Sequence, residues 1–366
     1  MTQNGRRRRH WIQFGLVSVG LAGIVGIIIL VLGRESTPAP DPHLRLTLQA
    51  QEAVHVVAID PQATLVASGS FSGTISVWHT ADGTLLRHWQ AHPQKVTALR
   101  FSNNGALLLS GGDDGQVIAW DIASGNPRYT LSPIATEASS FGIEAIAIHP
   151  QRSLAAAGGW QGQLLLFEVE TGQFIRRWRG HPLFNAPGRF ETITALTFSA
   201  DGISVASGSS SGGPIIWNIT NADYVQTSDV PAVDVLALQF IATDQQIRAI
   251  FRSQALPTWM VADGSIVRNQ RLPGREFLTA VFDQTGTYLI HGGPSYRDAP
   301  AVLPFLQPEP DPHIYVNDVR SGATVLSLEG HKALVNALAL SADDTVLVSG
   351  DEDATVRVWQ LTLPVE

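Results

Sequence analysis

The stretch Val346-Leu-Val-Ser349-Gly-Asp-Glu-Asp353-Ala-Thr-Val-Arg-Val-Trp359 occurs a second time, slightly changed, as Leu107-Leu-Leu-Ser110-Gly-Gly-Asp-Asp114-Gly-Gln-Val-Ile-Ala-Trp120. In both copies, apolar runs flank a polar turn, and the second run ends on tryptophan. Aligning that position along the chain gives seven units, marked by Trp78, Trp120, Phe167, Trp217, Trp259, Asn317 and Trp359. Successive markers lie 42 to 58 residues apart. A repeat of this length cannot bury its apolar face alone, so the units must pack on one another.

Each unit contains short β-rich runs separated by tight turns. The first run alternates apolar and small or polar residues, as in Val96-Thr-Ala-Leu-Arg-Phe101 and Ile193-Thr-Ala-Leu-Thr-Phe198. Pairs such as Asp82-Gly83 and Ser124-Gly125 favour hairpin turns between later runs. Four antiparallel strands per unit, called a to d in chain order, predict an all-β, seven-bladed propeller.

The two ends of this region predict how the ring closes. The last unit stops after its third strand, and a spare strand, Leu44-Arg-Leu-Thr-Leu48, precedes the first unit. We expect this strand to supply the fourth position of the seventh blade, so that the propeller spans residues 44–362 and no sheet edge is left open at the junction.

Three units resemble the WD-repeat (WD40) propellers, whose blades run from a Gly-His pair to a Trp-Asp pair. The matching segments run from Gly330-His331 to Trp359, from Ala91-His92 to Trp120-Asp121 and from Gly180-His181 to Trp217. The resemblance implies a buried polar chain of His, Ser, Asp and Trp in a blade. Carried over by position, the chains are His92, Ser110, Asp114 and Trp120 in blade two, and His331, Ser349, Asp353 and Trp359 in blade seven.

Two functions are open to such a His, Ser and Asp set. A hydrolase triad uses these residue types, but the same groups can also satisfy one another's hydrogen bonds inside a blade. The set occurs in two blades, which favours the structural interpretation. Other blades depart from the pattern, with Ser72 in the first, Ala157 in the third and Ser211 in the fourth.

The first forty-three residues predict a membrane anchor. Arg6 to Arg9 lie in a basic tail, residues 1–10, and no charged residue occurs between Trp11 and Leu32. Those 22 residues would span about 33 Å as a helix, enough to cross a bilayer. We therefore expect a transmembrane signal anchor over residues 11–33 and a Pro-rich tether over 34–43. A cleaved signal peptide is the alternative.

The distribution of basic residues predicts the orientation of that anchor. The basic tail should stay in the cytoplasm, which places the propeller in the periplasm, a lumen or the exterior. From residue 44 onward the chain has 19 Lys and Arg against 30 Asp and Glu. Such an acidic domain disfavours a nucleic-acid partner. The one basic cluster there, Arg176-Arg177 and Arg179, lies on a predicted outer strand, where it is a solvated edge or a contact for an acidic patch of a partner.

Motifs for catalysis or cofactor binding are missing from the sequence. It contains no phosphate-binding Gly-rich loop, no cysteine and no His-Glu-x-x-His. His291, Asp311 and His313 have a spacing that matches no familiar metal-ligand set. We therefore expect no metal and no cofactor.

Loop lengths indicate where a partner would bind. The a–b and c–d turns are short, whereas long connections occupy 132–142, 181–191 and 294–312, all on the face of the b–c and d–a loops. The aromatic and arginine residues of these loops are candidate partner-binding residues, namely Phe184, Arg189, Phe190, Tyr296, Arg297 and Phe305. The predicted function is a membrane-tethered, non-catalytic protein-interaction scaffold; the alternative is a small-molecule or glycan sensor or hydrolase using the central funnel.

Overall fold

The described part of the chain folds into seven four-stranded antiparallel sheets. A computed structural model describes residues 41–132, 142–181, 191–210, 213–221, 223–227, 230, 234–273, 276–292 and 311–364. Within those ranges no helix is long and apolar enough to cross a membrane. The predicted tail, the anchor over 11–33 and most of the tether lie outside the described residues.

Strands follow one another in chain order within each blade, except at the seventh. The first three blades consist of β2 (Val54–Ile59), β3 (Leu65–Ser70), β4 (Thr74–His79), β5 (Leu85–Gln90); β6 (Val96–Phe101), β7 (Leu107–Gly112), β8 (Val117–Asp121), β9 (Pro127–Leu131); β10 (Ile143–Ile148), β11 (Leu154–Gly159), β12 (Gln163–Glu168) and β13 (Phe174–Arg179). A single 3-10 turn, Trp160–Gly162, joins β11 to β12.

The next three blades repeat this arrangement with shorter strands in places. They consist of β14 (Ile193–Phe198), β15 (Ser204–Ser209), β16 (Ile215–Asn218), β17 (Tyr224–Gln226); β18 (Val235–Ile241), β19 (Gln246–Phe251), β20 (Ala255–Met260), β21 (Ile266–Arg271); β22 (Ala280–Phe282), β23 (Tyr288–Gly292), β24 (Ile314–Asp318) and β25 (Thr324–Leu328).

The seventh blade is built from both ends of the propeller, as predicted. Its strands are β26 (Val335–Leu340), β27 (Val346–Asp351), β28 (Thr355–Gln360) and β1 (Leu44–Gln49), in the order β1-β28-β27-β26. Thr47 lies opposite Arg357 in the closing antiparallel pair. First strands of neighbouring blades contact one another all the way round, including β2 against β26, so the ring is closed.

The tryptophan alignment gives the correct register in every blade. Each marker residue lies on the third strand and faces the second residue of the neighbouring second strand, as Trp120 faces Leu108 and Trp259 faces Ile247. Asn317 occupies the same place opposite Leu289 in the sixth blade. The period of the repeat therefore predicted the pairing even where the motif itself is missing.

Glycine in the second strand allows the blades to approach closely. A Cβ on Gly111 would lie 2.6 Å from Ile143 Cγ2 of the next blade, and one on Gly350 would lie 2.4 Å from Val54 Cγ1. Real Cβ atoms do not come so near, so a side chain there would push the blades apart. Between the blades, apolar clusters such as Leu107, Leu109, Ile143, Ile146 and Phe167 form the core.

Polar side chains at the second position of the first strands connect neighbouring blades. Thr194 Oγ1 donates to the carbonyl oxygen of Val235 (2.8 Å), and Asn336 Nδ2 donates to that of Val54 (3.3 Å). Thr97 Oγ1 donates in the same way to Ile143 O. Because the acceptor always belongs to the next blade, these bonds fix the angular position of one blade against its neighbour.

Candidate functional site

Blade two contains the complete polar chain expected from the sequence. His92 Nδ1 lies 3.0 Å from Asp114 Oδ1, and His92 Nε2 lies 2.7 Å from Ser110 Oγ. Trp120 Nε1 donates to the same hydroxyl oxygen at 2.9 Å. His92 and Ser110 are buried. The serine hydroxyl is thus engaged on both sides and closed off from any substrate.

In blade seven the structure corrects the predicted carboxylate. His331 Nε2 lies 2.6 Å from Ser349 Oγ, and Trp359 Nε1 donates to that oxygen at 2.8 Å. The acid beside His331 Nδ1 is Asp351, at 2.6 Å, whereas Asp353 is exposed in the b–c turn.

The last residue of the second strand explains this difference between blades two and seven. A Cβ placed on Gly112, the last residue of β7, would lie 2.5 Å from His92 Nδ1, so this position points at the imidazole. In blade two it is glycine and the acid must come from the turn. In blade seven it is Asp351, which reaches His331 directly.

Blades one and four use a third arrangement, which the sequence did not reveal. Ser209, at the end of β15, donates to Glu191 Oε2 at 2.8 Å, and Ser70, at the end of β3, donates to Glu52 Oε2 at 3.1 Å. Each glutamate lies two residues before the first strand of its blade. Blade four also holds His181 Nε2 at 2.8 Å from Ser207 Oγ, which Trp217 Nε1 contacts at 2.9 Å.

Blades three and six replace the serine and tryptophan altogether. In blade three, Ala157 and Phe167 are both buried and pack as apolar residues. In blade six, His291 takes the serine position and Asn317 the tryptophan position, with His291 Nε2 3.2 Å from Asn317 Oδ1. Phe277 stacks on His291 with ring centroids 3.9 Å apart.

Burial favours the uncharged forms of His331 and His181. Desolvation is the main reason that the pKa of His331 lies below its ordinary value, against the opposing effect of Asp351. Desolvation also lowers the pKa of His181 to about 4. A neutral imidazole bonded on both sides to buried groups holds a blade together and is not placed to shuttle a proton to a substrate.

Among the described residues, the b–c loops on the face of the b–c and d–a loops present two exposed aromatic side chains. Phe71, in the b–c loop of blade one, is 48% exposed, and Trp160, in that of blade three, is 44% exposed. Trp160 Nε1 donates to Glu144 Oε1 at 3.1 Å. Between these blades Lys95 Nζ lies 3.8 Å from Asp113 Oδ2. Apolar surface surrounded by charged groups is typical of protein contact sites.

A channel of about 860 Å³ runs between the first strands of all seven blades. Arg100 lines this channel, where its side chain is exposed to solvent but enclosed by the ring. Desolvation lowers the pKa of Arg100. Desolvation raises the pKa of Glu144 and lowers that of His55 to about 4. His55 packs edge-on against Phe71, at 4.8 Å between ring centroids. The wall is thus polar and mixed in charge.

A known family model matches the repeat. The family model described as WD domain, G-beta repeat, matches residues 43–79, 83–121 and 322–360. Each match runs from an outer strand to the third strand of the following blade, ending at or just beyond Trp78, Trp120 or Trp359. Three segments of this seven-bladed propeller are thus similar to WD40 repeats.

Curated proteins resemble the WD40 region at low identity. Transducin beta-like protein 3 of Bos taurus is 25% identical over 86% of this chain and 43% of its own length. Protein ROOT INITIATION DEFECTIVE 3 of Arabidopsis thaliana is 21% identical over 81% of the chain and 66% of its own length. The chain therefore spans only part of these relatives, 43% and 66% of their lengths.

The structure describes the candidate metal ligands but not the candidate partner-binding residues. The six candidate partner-binding residues lie outside the described residues. His313 Nδ1 contacts Asp311 Oδ1 at 2.5 Å, whereas His291 is bonded to Asn317 instead. In the described ranges, no three His, Asp or Glu side chains form a group suited to a metal ion.

Proposed function

We propose that this WD40 propeller is a membrane-tethered, non-catalytic platform for protein–protein assembly, and that partners dock on its b–c and d–a loop face. The observation that carries the proposal is the pair of exposed aromatic residues, Phe71 and Trp160, on that face. Aromatic side chains contribute large areas to interfaces and dominate their energetics. The family supports the same conclusion, because WD40 propellers are typically interaction scaffolds and generally non-catalytic.

The rigid ring supports a scaffold function. The residue types that would serve as nucleophile and base, Ser110 with His92 and Ser349 with His331, lie inside blades and bond to tryptophan. Stable blades leave the loops free to vary in sequence while their positions stay fixed. The uncharged run within residues 11–33 supports the proposed anchor, which would hold the propeller outside the cytoplasm.

Crosslinking in native membranes tests both parts of the proposal. We expect a stoichiometric partner to crosslink to the intact chain and to be lost from a Phe71→Ala/Trp160→Ala double variant. Ile203→Ala is the matched control, because Ile203 is 51% exposed but lies in an a–b turn on the opposite face. Equal partner recovery from both variants would refute docking on the loop face. Recovery of the chain in the soluble fraction after cell lysis would refute the anchor.

A second candidate function, binding of a small molecule in the central channel, is favoured by the channel's volume. Its 860 Å³ lies within the usual range of ligand pockets, roughly 300–1,000 Å³, and Arg100 offers a cation to a ligand. A thermal shift with small anionic metabolites or sugars that disappears in Arg100→Gln would favour this function over the scaffold.

A further inference from the structure

The outer strand of blade three differs from the other outer strands in its charge. β13 has the sequence Phe-Ile-Arg-Arg-Trp-Arg and carries three arginines in six residues. None of the other six outer strands holds more than two. β13 carries these arginines in a domain where acidic residues outnumber Lys and Arg by 30 to 19 from residue 44 onward. The cationic strand is therefore a local feature of blade three.

β13 ends its sheet, and no described strand pairs with its outer edge. Proteins usually protect such an edge with proline, short strands or charge. β9 begins with Pro127 and β17 has only three residues. β13 keeps six residues, as β1, β5 and β21 do, and its charges stand beside exposed apolar surface, since Phe174 is 54% and Ile175 46% exposed.

The arginines of β13 lie on both faces of the strand. Arg177 and Arg179 face the same side as Phe174, and the Arg177 guanidinium lies 5.9 Å from the centre of the Phe174 ring. Arg176 lies on the other side, 5.7 Å from the centre of the Trp178 ring.

The position of Arg176 sets blade three apart from blade one. Arg87, at the equivalent place on β5, donates instead to carbonyl oxygens of the next blade, Ile122 and Ala123. Arg176 instead lies over the Trp178 ring of its own strand.

We propose that β13 is a docking edge for an extended acidic segment of a protein partner, which adds as a fifth strand to blade three. Backbone hydrogen bonds along β13 would hold the segment, and its carboxylates would lie across from Arg177 and Arg179 on one face and Arg176 on the other. Opposite charges directly across a strand pair are stabilising, and like charges are destabilising. An apolar residue of the segment would cover Phe174.

Charge determines which strand can occupy the edge. A second copy of β13 would bring arginine beside arginine, so self-association through this edge is disfavoured. This surface is the outer wall of one blade and not the loop face that carries Phe71 and Trp160. The two proposals can therefore fail separately.

Fluorescence anisotropy with a defined probe tests the proposal. The probe is a fluorescein-labelled acetyl-(Val-Glu)4-amide peptide, added to the full chain in non-ionic detergent at low salt. We expect saturable binding that is at least tenfold weaker for Arg177→Glu/Arg179→Glu, and nearly unchanged for Arg177→Lys/Arg179→Lys. The matched control is Arg45→Glu on the outer strand β1, which should leave binding unchanged. Phe71→Ala/Trp160→Ala should also bind normally.

Hydrogen exchange distinguishes strand addition from simple charge attraction. Amide protons within 174–179 should exchange at least several-fold more slowly when the peptide is bound, while those of β21, another outer strand, should not change. Absence of saturable binding, equal binding of acetyl-(Val-Lys)4-amide, or binding without protection of β13 would each overturn the proposal. Circular dichroism and thermal unfolding establish that each variant is folded before it is compared.

Discussion

The seventh and third blades fill the same core positions with side chains of opposite chemistry. In blade seven, Trp359 donates to Ser349 and His331 joins that serine to Asp351. In blade three the corresponding residues are Phe167 and Ala157, and both are buried. Their third strands nevertheless pair in the same register with the strand before them. The polar chain therefore stabilises a blade without determining its geometry, which follows from strand pairing and packing between blades.

Truncating the marker residue in each blade gives the largest expected effect. Trp359→Ala should lower the free energy of unfolding by about 4 kcal/mol and Phe167→Ala by about 3 kcal/mol, because both leave cavities in a core. The difference of about 1 kcal/mol combines the larger cavity left by the indole with the loss of the hydrogen bond from Trp359 to Ser349. Chemical denaturation of the two variants measures it. An equal or smaller loss for Trp359→Ala would show that the polar chain adds nothing to packing.

Removing each acid of blade seven tests the corrected polar chain. Asp351→Ala leaves His331 Nδ1 and the backbone N–H of Thr355 without their buried acceptor, and should cost about 2–3 kcal/mol. Asp353→Ala is the control and should change stability by less than about 0.5 kcal/mol, because the side chain is exposed. Thermal and denaturant unfolding compare the two. A larger loss for Asp353→Ala would reinstate the assignment made from the sequence.

Acidification should weaken blade four, which contains the buried His181, but not blade three at its core, where Ala157 and Phe167 do not titrate. The pKa of His181 falls to about 4 on folding, so between its unfolded value near 6.5 and about 4 the unfolded chain binds more protons. The stabilisation is complete above pH 6.5 and is lost as the pH falls through this window.

The size of that effect is about 2 kcal/mol for His181 between pH 7 and pH 5. The measurement is the difference in pH dependence of unfolding between the wild type and His181→Asn, which has no imidazole to titrate. A variant with the same pH dependence as the wild type would contradict the assignment.

Much of the fold was predictable because its determinants repeat along the chain. The marker position, the c–d hairpins and the closure by residues 44–48 all follow from a period combined with turn glycines, and the structure confirms each of them. Gly83 and Gly125, for example, adopt φ angles of +74° and +76°, which suit the hairpins that the sequence predicted.

The members of a polar chain could be predicted only where the sequence offers a single candidate residue at the expected spacing. Asp351 and Asp353 are two residues apart, and only the direction of the strand end shows which of them reaches His331. The Ser209–Glu191 and Ser70–Glu52 bonds both join residues 18 positions apart, but the motif of His, Ser, Asp and Trp gives no role to a glutamate ahead of the first strand. Phe71 and Trp160 resemble ordinary core residues in the sequence, because exposure depends on where a short b–c loop leaves the sheet.

The pairing of β1 with β28 also determines when the propeller can close during translation. His43 and Gln360, which meet at this junction, are separated by 317 residues. At 5–20 residues per second, a ribosome needs roughly 15–60 s to make the second partner after the first. For that interval the nascent chain carries Leu44–Gln49 without its partner strand, and the last blade cannot assemble before Thr355–Gln360 has been made. A premature stop codon ahead of Thr355 would therefore leave the ring open, even though the other six blades would be complete.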